Sequence, residues 1–371
     1  MKDVIIIGGG LAGLFNAIQL ARADLDVLVI EKKAYPFHRV CGEYISNEVV
    51  PFLKELEVYP VEFQPPQIDR FMLSSPKGNI LETELDLGGF GISRFSYDHY
   101  LYNEAKSSGA IFRLNSQVKD INYIGNCFDV ILSDGEALKT KLVVGAFGKR
   151  SILDKSLRRS FIEKRSPYIA VKYHIKTDFP SNKIALHNFS GGYCGLSKVE
   201  NETYNLCYLS NRSNLKKYGK IEALEEEVLF KNPFLKSIFK DSDFLFTRPE
   251  VINEISFEKK KTVEDHILMS GDSAGLITPL CGNGMAMAIH STKILSEYII
   301  QFFNHHNFTR TELENAYSGQ WRRLFSRRLW VGRKTQKLFG HNFSSEMSVR
   351  ILRNFEWITK LIVRNTHGDP F

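Results

Sequence analysis

The stretch Val4-Ile5-Ile6-Ile7-Gly8-Gly9-Gly10-Leu11-Ala12-Gly13 leaves this chain few folds to choose from. Four consecutive apolar residues read as a strand buried on both faces. The glycines break that run, and Leu14, Ala17, Ile18 and Ala21 then recur at helical spacing. A second apolar run at residues 27–30 ends in Glu31. The reading is strand, helix, strand, with parallel strands and a right-handed crossover. Glycines at 8, 10 and 13, with an acid 23 residues after the first, match the spacing of a dinucleotide site. Gly8 permits the tight turn, Gly10 lets the backbone approach a pyrophosphate, and Gly13 allows the helix to pack closely on the strand. The helix N-terminus faces the anion, and Glu31 would accept hydrogen bonds from a ribose.

Composition agrees with a folded chain that keeps its cysteines reduced. Hydrophobic residues are 43% and charged residues 25% of 371, which excludes disordered, collagen-like and disulfide mini-scaffold classes. The five cysteines, at 41, 127, 194, 207 and 281, form no C-x-x-C pair, so neither a disulfide framework nor a zinc ribbon is expected. No run of about 18 apolar residues occurs, and a strand starting at Val4 leaves no room for a signal peptide. The expected location is the cytoplasm. His174, His187 and His290 have no partner at ligand spacing; each reads as a core or surface histidine, and no metal site is expected.

Charge is unevenly placed. Residues 320–371 hold eleven Lys/Arg against three Asp/Glu, a net of +8, so the other 319 residues, with 38 basic and 39 acidic, are near neutral. A nucleic-acid binder would be basic more widely, and none is expected as a partner. Further along the chain, alternating strands are expected over 68–87, a helix over 97–107, and a β-meander over 111–142 with Asp134-Gly135 as a tight turn. Buried strands are expected at 142–144 and 267–269, strands over 168–209, helices over 221–230 and 284–303, and helix from there to the end.

Residues 267–285 read ILMSGDSAGLITPLCGNGM, a strand ending in Gly271-Asp272 and a loop leading through Gly282-Asn283-Gly284 into a helix. Ile92-Ser93-Arg94 is followed by Asp98 and Leu101, and residues 144–151 read VGAFGKRS. Together with the N-terminal fingerprint these segments resemble, in order over residues 3–300, the FAD-dependent superfamily of geranylgeranyl reductases and aromatic hydroxylases (group A flavin monooxygenases). The resemblance implies FAD. It places Leu11, Ala12, Lys32, Pro279 and Met285 beside the cofactor with the glycines, Asp272 on the ribityl chain next to Gly271, Arg94 on the ribityl or phosphate region, and Val118 at the adenine. The helix that follows Gly282-Asn283-Gly284 would stabilise negative charge on reduced flavin, which suits backbone N–H groups and a helix dipole. Phe147 stands where the middle motif usually has aspartate, which weakens any carry-over of its nicotinamide role.

Arg39-Val40-Cys41-Gly42-Glu43 resembles the C-G-G or C-G-E segment of geranylgeranyl reductases, beside the isoalloxazine. Cys41 has two open readings, a catalytic residue next to the flavin or a small buried packing residue. Cys281 reads as packing. Tyr193, in a segment where the superfamily places the strand covering the flavin, is the candidate substrate residue, with a sheet aromatic in the core as the alternative. The three tryptophans, 321, 330 and 357, all come late and provide no halogenase W-x-W-x-I-P motif.

The expected fold is α/β (α+β overall): a Rossmann-type FAD-binding domain (1–68, 92–160 and 250–303) interrupted by a mostly antiparallel β-sheet substrate domain (69–91 and 161–249), with a basic C-terminal helical region at 304–371. The expected function is reduction of a carbon–carbon double bond in a lipophilic, prenyl or polyketide-like substrate by reduced flavin, itself reduced by an external donor such as NAD(P)H or ferredoxin. The runner-up is hydroxylation of an aromatic or polyketide substrate through a flavin hydroperoxide, and the third reading is a non-catalytic flavin electron-transfer or interaction protein. Ile351, Phe355, Ile358, Leu361 and Ile362 form an apolar stripe among Arg350, Arg353, Lys360 and Arg364. That stripe either packs on the flavin domain or docks residues 320–371 on an anionic membrane.

Overall fold

The computed structural model describes all residues except 164, 165, 277, 279–281 and 337–341, and all side chains of the others except those at 254, 342, 343 and 356. The first strand, Lys2–Ile7, runs between Val27–Ile30 and Ala137–Gly145 and is parallel to both. Neighbours on either edge explain why residues 4–7 are apolar and buried throughout. The strand at 137–145 has two partners in turn. Its first half closes an antiparallel hairpin with Cys127–Leu132, and its second half pairs with the first strand through Leu142 and Val4. Ile111–Arg113 joins the parallel sheet beside Val27–Ile30 instead of the meander expected from the sequence, and the meander proper starts at Val118. Ile267–Met269 adds to the other edge, parallel to 144–145.

Helices Leu11–Arg22, Arg94–Ser107 and Gly284–Asn304 cover this sheet. A buried polar knot sets their spacing. Asn16 Nδ2 donates to Ala12 O (2.6 Å) and to Ser270 Oγ (3.1 Å), and Ser296 Oγ donates to Asn16 Oδ1 (3.0 Å). An amide satisfied on both ends, inside an otherwise apolar interface, specifies one register of helix against strand end. It thereby fixes Gly271-Asp272 over the start of the first helix.

The second sheet runs, strand by strand, Asp243–Phe244, Tyr168–Lys176, Tyr204–Asn211, Gly192–Lys198, Lys183–Phe189, Gln67–Ser74, Ile80–Gly91 and Tyr44–Ser46, with Glu250–Ile255 also on Tyr168–Lys176. It is antiparallel except where Lys183–Phe189 meets Gln67–Ser74. The domain boundaries expected from the sequence need correction at two points. Tyr44–Ser46 and Glu250–Ile255 belong to this sheet, because pairing is decided by partners far away in sequence. Two helices that the sequence reading did not include, Arg212–Tyr218 and Pro233–Asp241, cover its far face with Ile221–Glu227.

Strand alternation sorts the residues of Tyr168–Lys176. Val171, Tyr173 and Ile175 pack with Leu224 and Leu235 in the far core. Ala170, Lys172 and His174 lie on the opposite face, toward the parallel sheet.

The C-terminal region is helical over Arg310–Gln336, Asn342–Asn354 and Glu356–Thr366. The packing reading holds for part of its apolar residues. Trp321, Phe325 and Leu329 are buried on the flavin side, and Ile358 and Ile362 are half-buried against the second sheet's core, whereas Ile351, Phe355 and Leu361 are exposed. Among the described residues no helix is long and apolar enough to cross a membrane.

Candidate functional site

The turn after the first strand is shaped by what each glycine would meet if it carried a side chain. Gly8 has φ +102°, and an added Cβ would lie 2.5 Å from Ala146 O. At Gly13 the Cβ would lie 1.9 Å from Gly8 O, and at Gly9 2.0 Å from Tyr35 Oη. Gly10 differs. The nearest atoms across from it are Arg94 Nη2 at 3.5 Å and Arg39 Cζ at 3.9 Å. Gly8, Gly9 and Gly13 are thus required by the chain's own packing, while Gly10 faces two guanidinium groups. The helix begins at Leu11 with no side chain capping its first N–H groups. Free N–H donors, a helix dipole and two arginines around a bare backbone make an anion cradle of the kind a pyrophosphate fits.

Asp98, buried, orders the two arginines. It accepts from Arg94 Nε (2.6 Å) and Nη2 (2.7 Å) and from Arg39 Nε (3.0 Å). Arg39 Nη2 also reaches Glu31 Oε2 and Gly9 O, both at 3.2 Å. Glu31, buried at the end of its strand, accepts Gly9 N–H at 2.8 Å and Lys33 N–H at 3.1 Å. The acid therefore ties the glycine turn to Arg39 in addition to facing the cavity. Gly9 and Tyr35, whose Oη donates to Gly9 O at 2.5 Å, are parts of this turn that the sequence pattern does not single out.

One cavity of about 980 Å³ joins these groups to the second sheet. Glu31, Lys32 and Val118 line it, as do Gly8, Gly10, Leu11, Ala12, Arg39 and Arg94. Gly271, Asp272, Gly282, Gly284, Met285 and Cys41 complete the expected residues in the lining. Gly271 takes φ +61° and donates its N–H to Ser291 Oγ at 3.1 Å. Gly13 supports the turn from outside the lining. Asn283 corrects the expectation for it. It is buried, lies outside the lining, and its Nδ2 donates to Thr366 O at 2.9 Å, so its side chain anchors the C-terminal segment. Pro279 and Cys281 lie outside the described residues. The remaining donor set fits a dinucleotide in its chemistry: an acid for a ribose, cations and N–H groups for phosphates, and Asp272 with a helix N-terminus for the rest.

The segment from Arg39 to Glu43 is locked by a buried cluster that sequence reading missed. Glu43 sits at φ +54°, a strained region for a residue with a side chain, and is fully buried. Its Oε1 accepts Lys172 Nζ at 2.5 Å and Arg94 N–H at 2.7 Å, and its Oε2 pairs with His174 Nε2 at 2.7 Å. Burial alone pushes the Glu43 carboxyl up; the Lys172 ammonium and the His174 hydrogen bond outweigh it and hold the pKa at about 2. An ionised carboxylate only accepts, so His174 Nε2 carries the proton. Loss of solvent, then the Lys172 charge, lowers the neighbouring His38 to about 4. His174 is thus a hydrogen-bond partner of Glu43 rather than a simple core residue. The available signal was Lys172 and His174 alternating in an otherwise apolar strand, two polar side chains on one face that require a partner.

This lock leaves Cys41 half-buried on the cavity wall, its carbonyl held by Asn205 Nδ2 at 3.1 Å and that of Gly42 by Ser197 Oγ at 3.3 Å. Cys207 lines the same wall, and burial pushes its thiol up to about 12. Tyr193 is a buried sheet aromatic, packed with Leu186 and Leu209, and it also lines the cavity. His187 is a buried core histidine and His290 a half-buried one, both lowered to about 4 chiefly by loss of solvent. His187 Nδ1 meets Ser74 Oγ at 2.8 Å, and His290 stacks on Phe371.

Comparison with known proteins agrees with the cradle. Residues 3–38 match the family model of an FAD binding domain. Conditioned medium factor receptor 1 of Dictyostelium discoideum is 23% identical, over 94% of this chain and 70% of that protein. Digeranylgeranylglycerophospholipid reductase of Methanosarcina acetivorans is 25% identical, over 86% of this chain and 80% of that protein. Among solved structures, the flavin-dependent brominase Bmp2 superposes with a TM-score of 0.78 at 18% identity, covering 97% of this chain and 92% of that one. PqsL of Pseudomonas aeruginosa, "a probable FAD-dependent monooxygenase", superposes with a TM-score of 0.75 at 15% identity, covering 94% and 99%. The chain is an FAD-dependent oxidoreductase, similar along most of its length to the geranylgeranyl reductases, and it shares its fold with flavin-dependent halogenases and monooxygenases.

Proposed function

We propose that this protein reduces a carbon–carbon double bond of a lipophilic, prenyl-type substrate, with FAD in the cradle and electrons from an external donor such as NAD(P)H or ferredoxin. The observation that carries the reading is the continuity of the cavity. Past Cys41 and Met285 it opens into a chamber walled by Phe71, Leu73, Leu186, Leu209, Leu276 and Ile362. Such a wall binds hydrocarbon by removing apolar surface from water, at roughly 25 cal/mol per Å². Digeranylgeranylglycerophospholipid reductases among the relatives act, by name, on lipids of this chemistry.

When bound and reduced, the cofactor supplies a hydride equivalent. The chain's residues do the rest. Gly10, Arg39 and Arg94 hold the pyrophosphate, Glu31 the adenosine ribose and Asp272 the ribityl chain. The helix starting at Gly284 offsets negative charge at the ring. Apolar walls keep water from competing for the hydride. Cys41 Sγ–H, on the cavity wall, would give a proton to one alkene carbon as the other gains the hydride equivalent, and the thiolate would regain its proton once product leaves and solvent enters. Glu43, Lys172 and His174 position Cys41 by locking the segment from Arg39 to Glu43.

Two measurements test the reading. Heat-released cofactor should be FAD; FMN, or no flavin after gentle purification, refutes the cradle assignment. Anaerobic reduction by NADH, NADPH or reduced ferredoxin, followed by an extract of polyprenyl lipids, should give products heavier by a pair of hydrogens per reduced bond. Substrate-dependent oxygen uptake with an oxygenated product would instead establish the hydroxylase reaction.

A further inference from the structure

The last two helices have two apolar faces, and packing accounts for only one of them. On the inner side, Val349 and Leu352 join Leu73, Leu81, Ala170 and Leu186 in a buried cluster, while Thr359, Ile362, Val363 and Thr366 line the cavity. On the outer side, Met347, Ile351, Phe355, Trp357 and Leu361 stand in solvent, Phe355 at 50% and Trp357 at 64% exposure. Met347 and Ile351 are one turn apart, as are Trp357 and Leu361, so each helix shows a stripe. Trp330, exposed on the preceding helix beside Lys334, lies in the same basic region. Large exposed apolar groups gathered in one region mark an interaction site more often than chance scatter.

Charge identifies the occupant. Arg350, Arg353 and Arg364 are exposed among these apolar side chains. Of the three carboxylates in residues 320–371, Glu346 is engaged by Lys77 N–H (2.7 Å) and Asn79 Nδ2 (3.0 Å), which pin the helix to a hairpin turn. A second copy of the chain is a poor match, because an isologous contact through this patch would set the same arginines against one another. Aromatic and aliphatic groups at headgroup depth, with arginines on phosphates, is the arrangement by which an amphipathic helix lies on an anionic bilayer.

We propose that helices Asn342–Asn354 and Glu356–Thr366 dock this protein on an anionic phospholipid surface, with Met347, Ile351, Phe355, Trp357 and Leu361 entering the headgroup layer and Arg350, Arg353 and Arg364 on lipid phosphates. The opposite faces of these helices wall the apolar chamber, so the bilayer and the flavin cavity are separated by about 10 Å, one helix diameter. Docking stands on the exposed face alone; its use in delivering a substrate rests on the function proposed above.

The test uses the FAD-loaded full chain and vesicles of phosphatidylcholine with or without phosphatidylglycerol. The protein should float with anionic vesicles at low salt, not with neutral ones, and should be released by 1 M salt, where the Debye length is about 3 Å. Arg350→Gln with Arg353→Gln should lower the partition coefficient about thirtyfold, at the cost per cation expected near an anionic surface. Phe355→Ser with Trp357→Ser should abolish flotation while FAD stays bound. Lys216→Gln with Lys217→Gln, on the far side of the second sheet, should change nothing. The proposal is overturned if the wild type stays in the soluble fraction, if neutral vesicles bind equally, if the Lys216/Lys217 variant loses as much binding as the arginine variant, or if Trp357→Ser dissolves a dimer seen by sedimentation. Reduction of detergent-dispersed substrate without flotation would sink the docking alone; flotation without any reduction would sink the function alone.

Discussion

Neutralising Glu43 tests the local structure on which the candidate site depends. Glu43→Gln keeps the shape but removes the charge that Lys172 Nζ meets at 2.5 Å, with both side chains fully buried. The magnitude follows in two ways. Glu43 is held at about 2, against an ordinary 4.5. At about 1.4 kcal/mol per pKa unit, the ionised form then contributes about 3 kcal/mol. Independently, removing one partner of a buried ion pair typically costs about 3–5 kcal/mol, because the other charge stays buried. The sign is that of a depressed carboxyl. The contribution is complete above about pH 4.5 and is lost as pH falls toward 2. Urea unfolding followed by far-UV circular dichroism, at fixed excess FAD, should show the variant weaker by about 3 kcal/mol at pH 7. The gap from wild type should close as the pH is lowered through that window. Lys172→Met should cost a similar amount, and the double variant less than the sum, by about 2 kcal/mol or more. A loss under about 1 kcal/mol for Glu43→Gln, with additive double-variant energies, would refute a buried charge pair as the lock on Cys41.

Other substitutions separate fold from cofactor. Gly13→Ala puts a methyl within 1.9 Å of Gly8 O and should cost about 1–3 kcal/mol together with flavin retention, by calorimetry and absorbance. Gly10→Ala meets nothing closer than 3.5 Å, so the fold should lose only about 1 kcal/mol at the helix cap while FAD binds at least about tenfold weaker in fluorescence titration. Asp272→Ala should weaken FAD binding by about 1–3 kcal/mol, and unchanged affinity would remove Asp272 from the ribityl chain. Cys41→Ala should retain FAD and its rate of reduction by the donor, yet slow product formation; wild-type kinetics would return Cys41 to a packing role.

What the sequence determined by itself was everything carried by neighbours in the chain. Four apolar residues, a glycine turn and an amphipathic helix need only local geometry, so Gly8, Gly10, Gly13 and Glu31 were readable, as was the strand-to-helix passage around Gly271-Asp272. The concentration of positive charge after residue 320 was equally plain. Tertiary structure decided which strands pair: Ile111–Arg113 left the meander and Glu250–Ile255 joined the second sheet, because hydrogen-bond partners lie far off in sequence. It also decided the meaning of polar residues inside. Glu43 finds Lys172 and His174 129 and 131 residues away, and no periodicity encodes that meeting. The C-terminal stripe shows the same limit. Helical spacing marks Ile351, Phe355, Ile358, Leu361 and Ile362 alike, but only packing against the second sheet half-buries Ile358 and Ile362 and leaves the other three in solvent. An amphipathic pattern records that a face is apolar; what covers the face depends on surfaces assembled from the whole chain.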